Sequence, residues 1–167
     1  FDGALVGPMT AHPKVDPVTG ELVFFGYNPF PPFLRVHVAD AAGTLVQSVD
    51  VDLPGPVMMH DFAVSADHIV LFDLPAVFDV KTMLEGGAGI RWEPEHGARI
   101  GVLDRSDLTA PPRWFEVEPF WMFHVLNAFD DGGAVVVDGC RTDRLNTTFG
   151  DEEPVRARPP VLHRWRI

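Results

Sequence analysis

The sequence predicts an all-β chain, on three observations. Short segments rich in β-branched and aromatic residues recur along it. Turn signals built from Asp, Gly and Pro stand between them. No stretch sustains a helical period for three turns, which sets helical bundles and doubly wound sheets aside. Many short antiparallel strands leave a sandwich, a barrel or a propeller.

In chain order, strands are expected over 21–27, 34–39, 45–53, 58–64, 69–74, 99–103, 114–117, 121–129 and 134–138. Reversals are supplied by Asp16-Pro17-Val18-Thr19-Gly20, Asp40-Ala41-Ala42-Gly43 and Asp130-Asp131-Gly132-Gly133. In 34–38 apolar Leu34, Val36 and Val38 alternate with Arg35 and His37, so the latter two are expected on a wet face. One short helix is expected over 80–85, ended by Gly86-Gly87. Glu, Arg and Pro dominate 151–160, which reads as a connecting loop, and Trp165-Arg166-Ile167 reads as the opening of another strand. With Phe1 as first residue, the chain is expected to be a piece of a longer protein.

Three histidines close apolar runs: Met9-Thr10-Ala11-His12, Pro56-Val57-Met58-Met59-His60 and Phe120-Trp121-Met122-Phe123-His124. By period two, His60 shares a face with Met58, Phe62 and Val64, and His124 shares one with Met122, Leu126 and Ala128. A buried neutral imidazole needs partners for its nitrogens. For a single histidine a satisfied core position is the simpler reading; three repetitions favour a shared metal. Spacings of 48 and 64 residues are too wide for a helical or hairpin metal motif. They suit one ligand from each of several structural units, and propeller blades run to about 40–50 residues. No internal sequence repeat is evident. Asp61, the one acid beside these histidines, is expected on the opposite face, so calcium and magnesium fit poorly. Imidazole suits zinc, copper, nickel and iron, and spacing does not choose among them.

Hydrophobic residues make up 46% of the 167, enough for a substantial core. Acidic residues number 24 against 13 basic ones, a net charge of −11 spread along the chain. Such a field repels phosphate backbones and excludes nucleic acid as the expected partner. Cys140 is the single cysteine, so no internal disulfide forms and a reducing compartment such as the cytoplasm is expected. No apolar run approaches the roughly 20 residues that span a bilayer. Peripheral membrane contact has one candidate, the loop 28–34 with Phe30 and Phe33; the competing reading packs those rings back on the core. His37, His68, His96 and His163 carry no ligand pattern, and Asp61 and Asp73 read as turn or strand-end stabilisers.

The run from Met9 through His12-Pro13-Lys14 to Glu21-Leu22 resembles the carotenoid cleavage oxygenases, which include the bacterial lignostilbene dioxygenases. So do Met59-His60-Asp61-Phe62 with Ile69-Val70-Leu71-Phe72-Asp73, Arg99-Ile100-Gly101-Val102-Leu103, and Phe123-His124-Val125-Leu126-Asn127-Ala128-Phe129. The resemblance implies a seven-bladed β-propeller, with residues 1–167 an incomplete portion of that single catalytic domain, about three blades of it. It implies a non-haem Fe(II) held by four histidines. His12, His60 and His124 would be the first three metal-binding, catalytic residues. The fourth, and the glutamates that hydrogen-bond to ligand imidazoles, would lie outside 1–167, so this piece alone is expected to be inactive. The implied activity is a dioxygenase that takes dioxygen and an apolar conjugated alkene, an apocarotenoid or phenolic stilbene, to two carbonyl products. Phe123 is the candidate substrate wall, with a core role equally open. Two other readings stand beside this one: a retinoid isomerohydrolase, and a non-catalytic propeller that serves as an interaction platform. Oligomeric state is open.

Overall fold

A computed structural model describes residues 1–87, 89–145 and 158–167. The chain is all-β, and its strands form separate antiparallel sheets that follow one another along the sequence. Strands β1 (Lys14–Val15), β2 (Leu22–Tyr27), β3 (Leu34–Ala39) and β4 (Leu45–Val51) make the first sheet, in that order. The second uses β5 (Ala63–Val64), β6 (His68–Asp73), β9 (Ala98–Asp104) and β10 (Arg113–Val117), ordered β10-β9-β6-β5. Between β6 and β9 the chain makes a two-stranded excursion, β7 (Ala76–Phe78) with β8 (Ile90–Trp92). The third sheet orders β11 (Val125–Asp131), β12 (Ala134–Arg141) and β13 (Val161–Arg166). No closed propeller is formed by the described residues.

The middle sheet is buried on both faces. Ile69, Leu71 and Leu103 pack with Val23, Phe25, Val36 and Val38 of the first sheet. Val70, Phe72, Ile100 and Val102 pack with Val135, Val137 and Trp165 of the third. A strand covered on both sides reads as a continuous apolar run, as Ile69-Val70-Leu71-Phe72 does. Each such side chain contributes about 1.5–3 kcal/mol by leaving water.

Most expected strands are present, with two shortened. The run 58–64 is strand only at Ala63–Val64, and 121–129 becomes strand only from Val125 onward. The expected helix is observed at Val80–Leu84, where the side chain of Asp79 accepts the amide N–H of Thr82. Residues 165–167, expected to open a strand, instead lie at the end of one: β13 begins at Val161 and closes at Arg166. Of the connecting loop 151–160, residues 151–157 lie outside the described residues, and 158–160 carry no regular structure.

His37 is a correction. It is not on a wet face but 1% exposed. Its ring stacks on Phe24 at 4.8 Å, Phe24 stacks on Phe1 at 5.0 Å, and the Ser48 hydroxyl lies 2.8 Å from Nδ1. Alternation reports the pleat of a strand and not what covers its second face. Here the cover is the N-terminal segment. It is pinned by the Thr10 N–H to the Phe25 carbonyl at 2.7 Å and lies so close over Gly26 that any Cβ there would meet the Pro8 carbonyl oxygen. In the 28–34 loop the two rings part company: Phe33 packs on the first core and Phe30 projects outward. No helix among the described residues is long and apolar enough to cross a membrane.

Candidate metal centre

Each of the three singled-out histidines sits just before the first strand of a different sheet. His12 precedes β1 by two residues, His60 precedes β5 by three, and His124 directly precedes β11. In each sheet that first strand is an edge strand. The irregular backbone before it frees the ring from the alternation of a pleat. It also explains why the expected strands there are short.

The three segments are anchored locally. Thr10 is buried, and its hydroxyl accepts the His12 amide N–H at 3.3 Å. Met58 donates its N–H to the Ala76 carbonyl at 2.7 Å, and Met59 fills the first core opposite the His60 ring. Trp121 exchanges both backbone hydrogen bonds with Thr142, which fixes the chain three residues before His124.

The rings meet. Their metal-binding nitrogens all lie within 4.8 Å of one another. The Nε2 atoms of His12 and His60 are 3.1 Å apart, and the ring centroids of the trio are 4.8 to 5.1 Å apart. Among the described residues, the only polar neighbour within hydrogen-bonding distance of any of these rings is another of the three. Two imidazole nitrogens, each about 2.1 Å from one ion and at right angles, stand about 3 Å apart. The donor set is therefore spaced to share an ion, and it contains no carboxylate. Burial pushes the His60 imidazole below its ordinary pKa, and the neighbouring His12 and His124 push it the same way. Neutral imidazole is the form that ligates.

Around the trio the walls are apolar and aromatic. Phe123, 44% exposed, stands edge-on to His60 at 5.3 Å and to buried Trp121 at 5.1 Å. A cavity of ≈ 360 Å³ reaches His60 and is lined by Met9, Thr10, Ala11 and Tyr27. On the side of the first strands a wider, open cavity of ≈ 690 Å³ runs past Lys14, Val64 and Leu126. Asp61 points away from the imidazoles, as its place in the run predicts. Its Oδ1 lies 2.7 Å from the Lys14 ammonium and accepts the Phe62 N–H, and its Oδ2 accepts the Val125 N–H at 2.8 Å. The sequence singles out the three rings, which the structure brings together, and Phe123, which it places beside them; Lys14, Tyr27 and Trp121 also stand near the trio and are not singled out by the sequence. Trp121, two places before Phe123 in the same run, was the one with a readable signal.

The other histidines stay outside the cluster: His163 packs its ring against Trp165 at 4.5 Å, and two of the rest pair with carboxylates. His68 Nδ1 is 2.6 Å from Asp130, and His96 Nε2 is 2.8 Å from Asp73, which also accepts from Arg99 at 2.7 Å.

Comparison with known proteins supplies the relatives. The carotenoid 9,10(9',10')-cleavage dioxygenase of Crocus sativus is 39% identical over 145 residues, 86% of this chain and 27% of that enzyme. The isoeugenol monooxygenase of Pseudomonas nitroreducens is 31% identical over 175 residues, all of this chain and 37% of that enzyme. Among solved structures, the Pseudomonas brassicacearum lignostilbene dioxygenase superposes with a TM-score of 0.88 at 30% identity, covering 99% of this chain and 37% of that one. The chain thus spans about a quarter to a third of the enzymes it matches. The family model described as RPE65, retinal pigment epithelial membrane protein, matches residues 1–167 from end to end, and the chain belongs to that carotenoid oxygenase family.

Proposed function

We propose that this chain is part of a β-propeller Fe(II)-dependent dioxygenase that splits a carbon–carbon double bond of an apocarotenoid or phenolic stilbene. One observation carries the reading: three imidazoles, each from the segment that leads into a different sheet, bring their nitrogens within 4.8 Å of one another, with no carboxylate among them. The three stacked sheets would be successive blades of a single domain, with β1, β5 and β11 around its axis. His12, His60 and His124 would hold the ion. An Fe(II) held there would supply the electrons that activate dioxygen, which a redox-inert zinc ion would not. The balance is simple: one alkene and one dioxygen give two carbonyl products, one oxygen atom in each.

The chain's own residues do the rest. Neutral imidazoles would leave a bound ion its full charge. Burial lowers the pKa of His60 and so favours the neutral ring that can ligate. Phe123, held edge-on by Trp121 and His60, and the Met9 and Tyr27 surfaces offer an apolar wall to a substrate with few hydrogen-bonding groups. Relatives named for carotenoid, stilbene and isoeugenol substrates support an alkene as the substrate class.

The test uses the full-length protein that carries this chain, purified without oxygen. It should hold about one iron per polypeptide. Given air and either a hydroxylated stilbene or an apocarotenal, it should release two carbonyl products identifiable by mass. Protein without iron that cleaves neither compound would end this reading.

A further inference from the structure

We infer that Asp61 is a positioning residue that sets the spacing of the three histidines by tying together the chain segments that carry them. The inference rests on the reading of those histidines as a shared metal site, and it deepens that reading.

The argument starts from what the sheets do not hold. β1 and β5 pair over only two residues each. β1, β5 and β11 belong to different sheets, so no strand ladder joins them. Ladder hydrogen bonds therefore fix only the strand that follows each histidine and leave the distance between the three histidine segments to side chains. Packing of apolar groups is non-directional. A shared ligand distance must hold to within about 0.2 Å, finer than non-directional apolar packing specifies.

One carboxylate spans the gap. The Asp61 side chain is 3% exposed and takes three donors. The Lys14 ammonium, two residues after His12, lies 2.7 Å from Oδ1. The amide of Phe62, two residues after His60, reaches the same oxygen at 2.8 Å. The amide of Val125, next to His124, reaches Oδ2 at 2.8 Å. Bonds to an ionised acceptor are short and strong, and each donor here comes from a different ligand segment. Other polar ties between sheets lie elsewhere. Arg105 joins the first and second through Asp16, Glu21 and the Ser65 and Ala66 carbonyls. Asp130 joins the second and third through Ser65, Asp67 and His68. Neither sits beside a histidine of the trio.

The experiment separates positioning from general stability. In the full-length protein, Asp61→Asn keeps the shape but presents an NH2 group to at least one donor. Co(II) binding to the apoprotein, followed by titration and by the visible ligand-field bands, should weaken at least tenfold, within the range of about 10–100-fold known for residues that support metal ligands. The bands should shift. Asp130→Asn removes a comparable tie away from the ligands. It should lower the melting temperature and leave Co(II) affinity within twofold. If Asp61→Asn does not fold, Lys14→Met decides: it deletes one arm, keeps both backbone hydrogen bonds, and should weaken Co(II) at least threefold. Wild-type affinity in either Asp61→Asn or, in that case, Lys14→Met overturns the inference, as does an equal loss in Asp130→Asn. A wild-type protein that binds no Co(II) overturns the metal reading itself and this inference with it.

Discussion

His60 and His96 are both partly buried imidazoles with a second polar group within about 3 Å, and the chain treats them in opposite ways. The hydrogen bond to Asp73 raises the pKa of His96 against the opposing pull of burial. Burial lowers that of His60, and two neighbouring imidazoles lower it further. A ring with its own carboxylate is a fixed part of the architecture: Asp73 ties the His96 turn and Arg99 of β9 to the end of β6. A ring surrounded by rings has no such partner, and its nitrogens are left for something the three share. Pairing, more than burial, distinguishes the two kinds of histidine.

The largest test of that contrast is to remove one ring of each kind from the full-length protein. His60→Ala should take metal content from about one equivalent to near none. Its melting temperature without metal should change little, because no hydrogen bond outside the trio is lost. His96→Ala should do the reverse. It leaves a nearly inaccessible Asp73 carboxylate short of a partner, a loss of about 1–3 kcal/mol, and leaves metal content unchanged. Metal analysis and thermal melting of the two variants decide it. Equal metal content in both would dissolve the distinction.

A smaller effect sharpens the paired side. The folded pKa of His96 lies above its ordinary value of 6.5. The extra stability is therefore fully present below about pH 6.5 and is lost as pH rises through the folded pKa. Wild type should exceed His96→Gln by about 1 kcal/mol at pH 5.5, and the gap should narrow by pH 9. Melting curves at both pH values check this, and a gap that widens with pH would contradict the pairing.

How far the sequence discloses these features depends on where the controlling partners lie. Strands such as β6 are legible because burial on both faces writes four apolar residues in a row. β1 and β5 are too short to carry any period, and β7 and β8 are a three-residue pair interrupted by the helix Val80–Leu84. The histidine trio is visible because an imidazole ending an apolar run is conspicuous. The function of Asp61 is silent in sequence. Two of its three partners are backbone amides, which every residue has, and the third is 47 positions away. His37 departs from the wet face for a related reason: the N-terminal segment lies over its face, with Phe1 stacked on Phe24, the cross-strand neighbour of His37, and no local pattern reports a remote segment lying over a strand.

His37 gives the smallest expected effect and the cleanest sign. It resembles neither group fully: Nδ1 meets the Ser48 hydroxyl, while Nε2 is buried with no hydrogen-bond partner among the described residues. Burial lowers its pKa, with Arg35 adding to that and Asp50 opposing it. The unfolded chain then takes up a proton at a higher pH than the folded one. Stability contributed here falls as pH drops below about 6.5 and levels off once the folded pKa is passed. His37→Phe keeps the stack on Phe24 and removes the proton. It gives up one hydrogen bond to a hydroxyl that solvent can satisfy, so at pH 7.5 the two proteins should agree within about 1 kcal/mol. At pH 5 the variant should be the more stable. A wild-type protein that loses nothing relative to His37→Phe between pH 7.5 and 5 would mean that the ring accepts its proton as readily folded as unfolded, which an imidazole buried against Phe24 does not do.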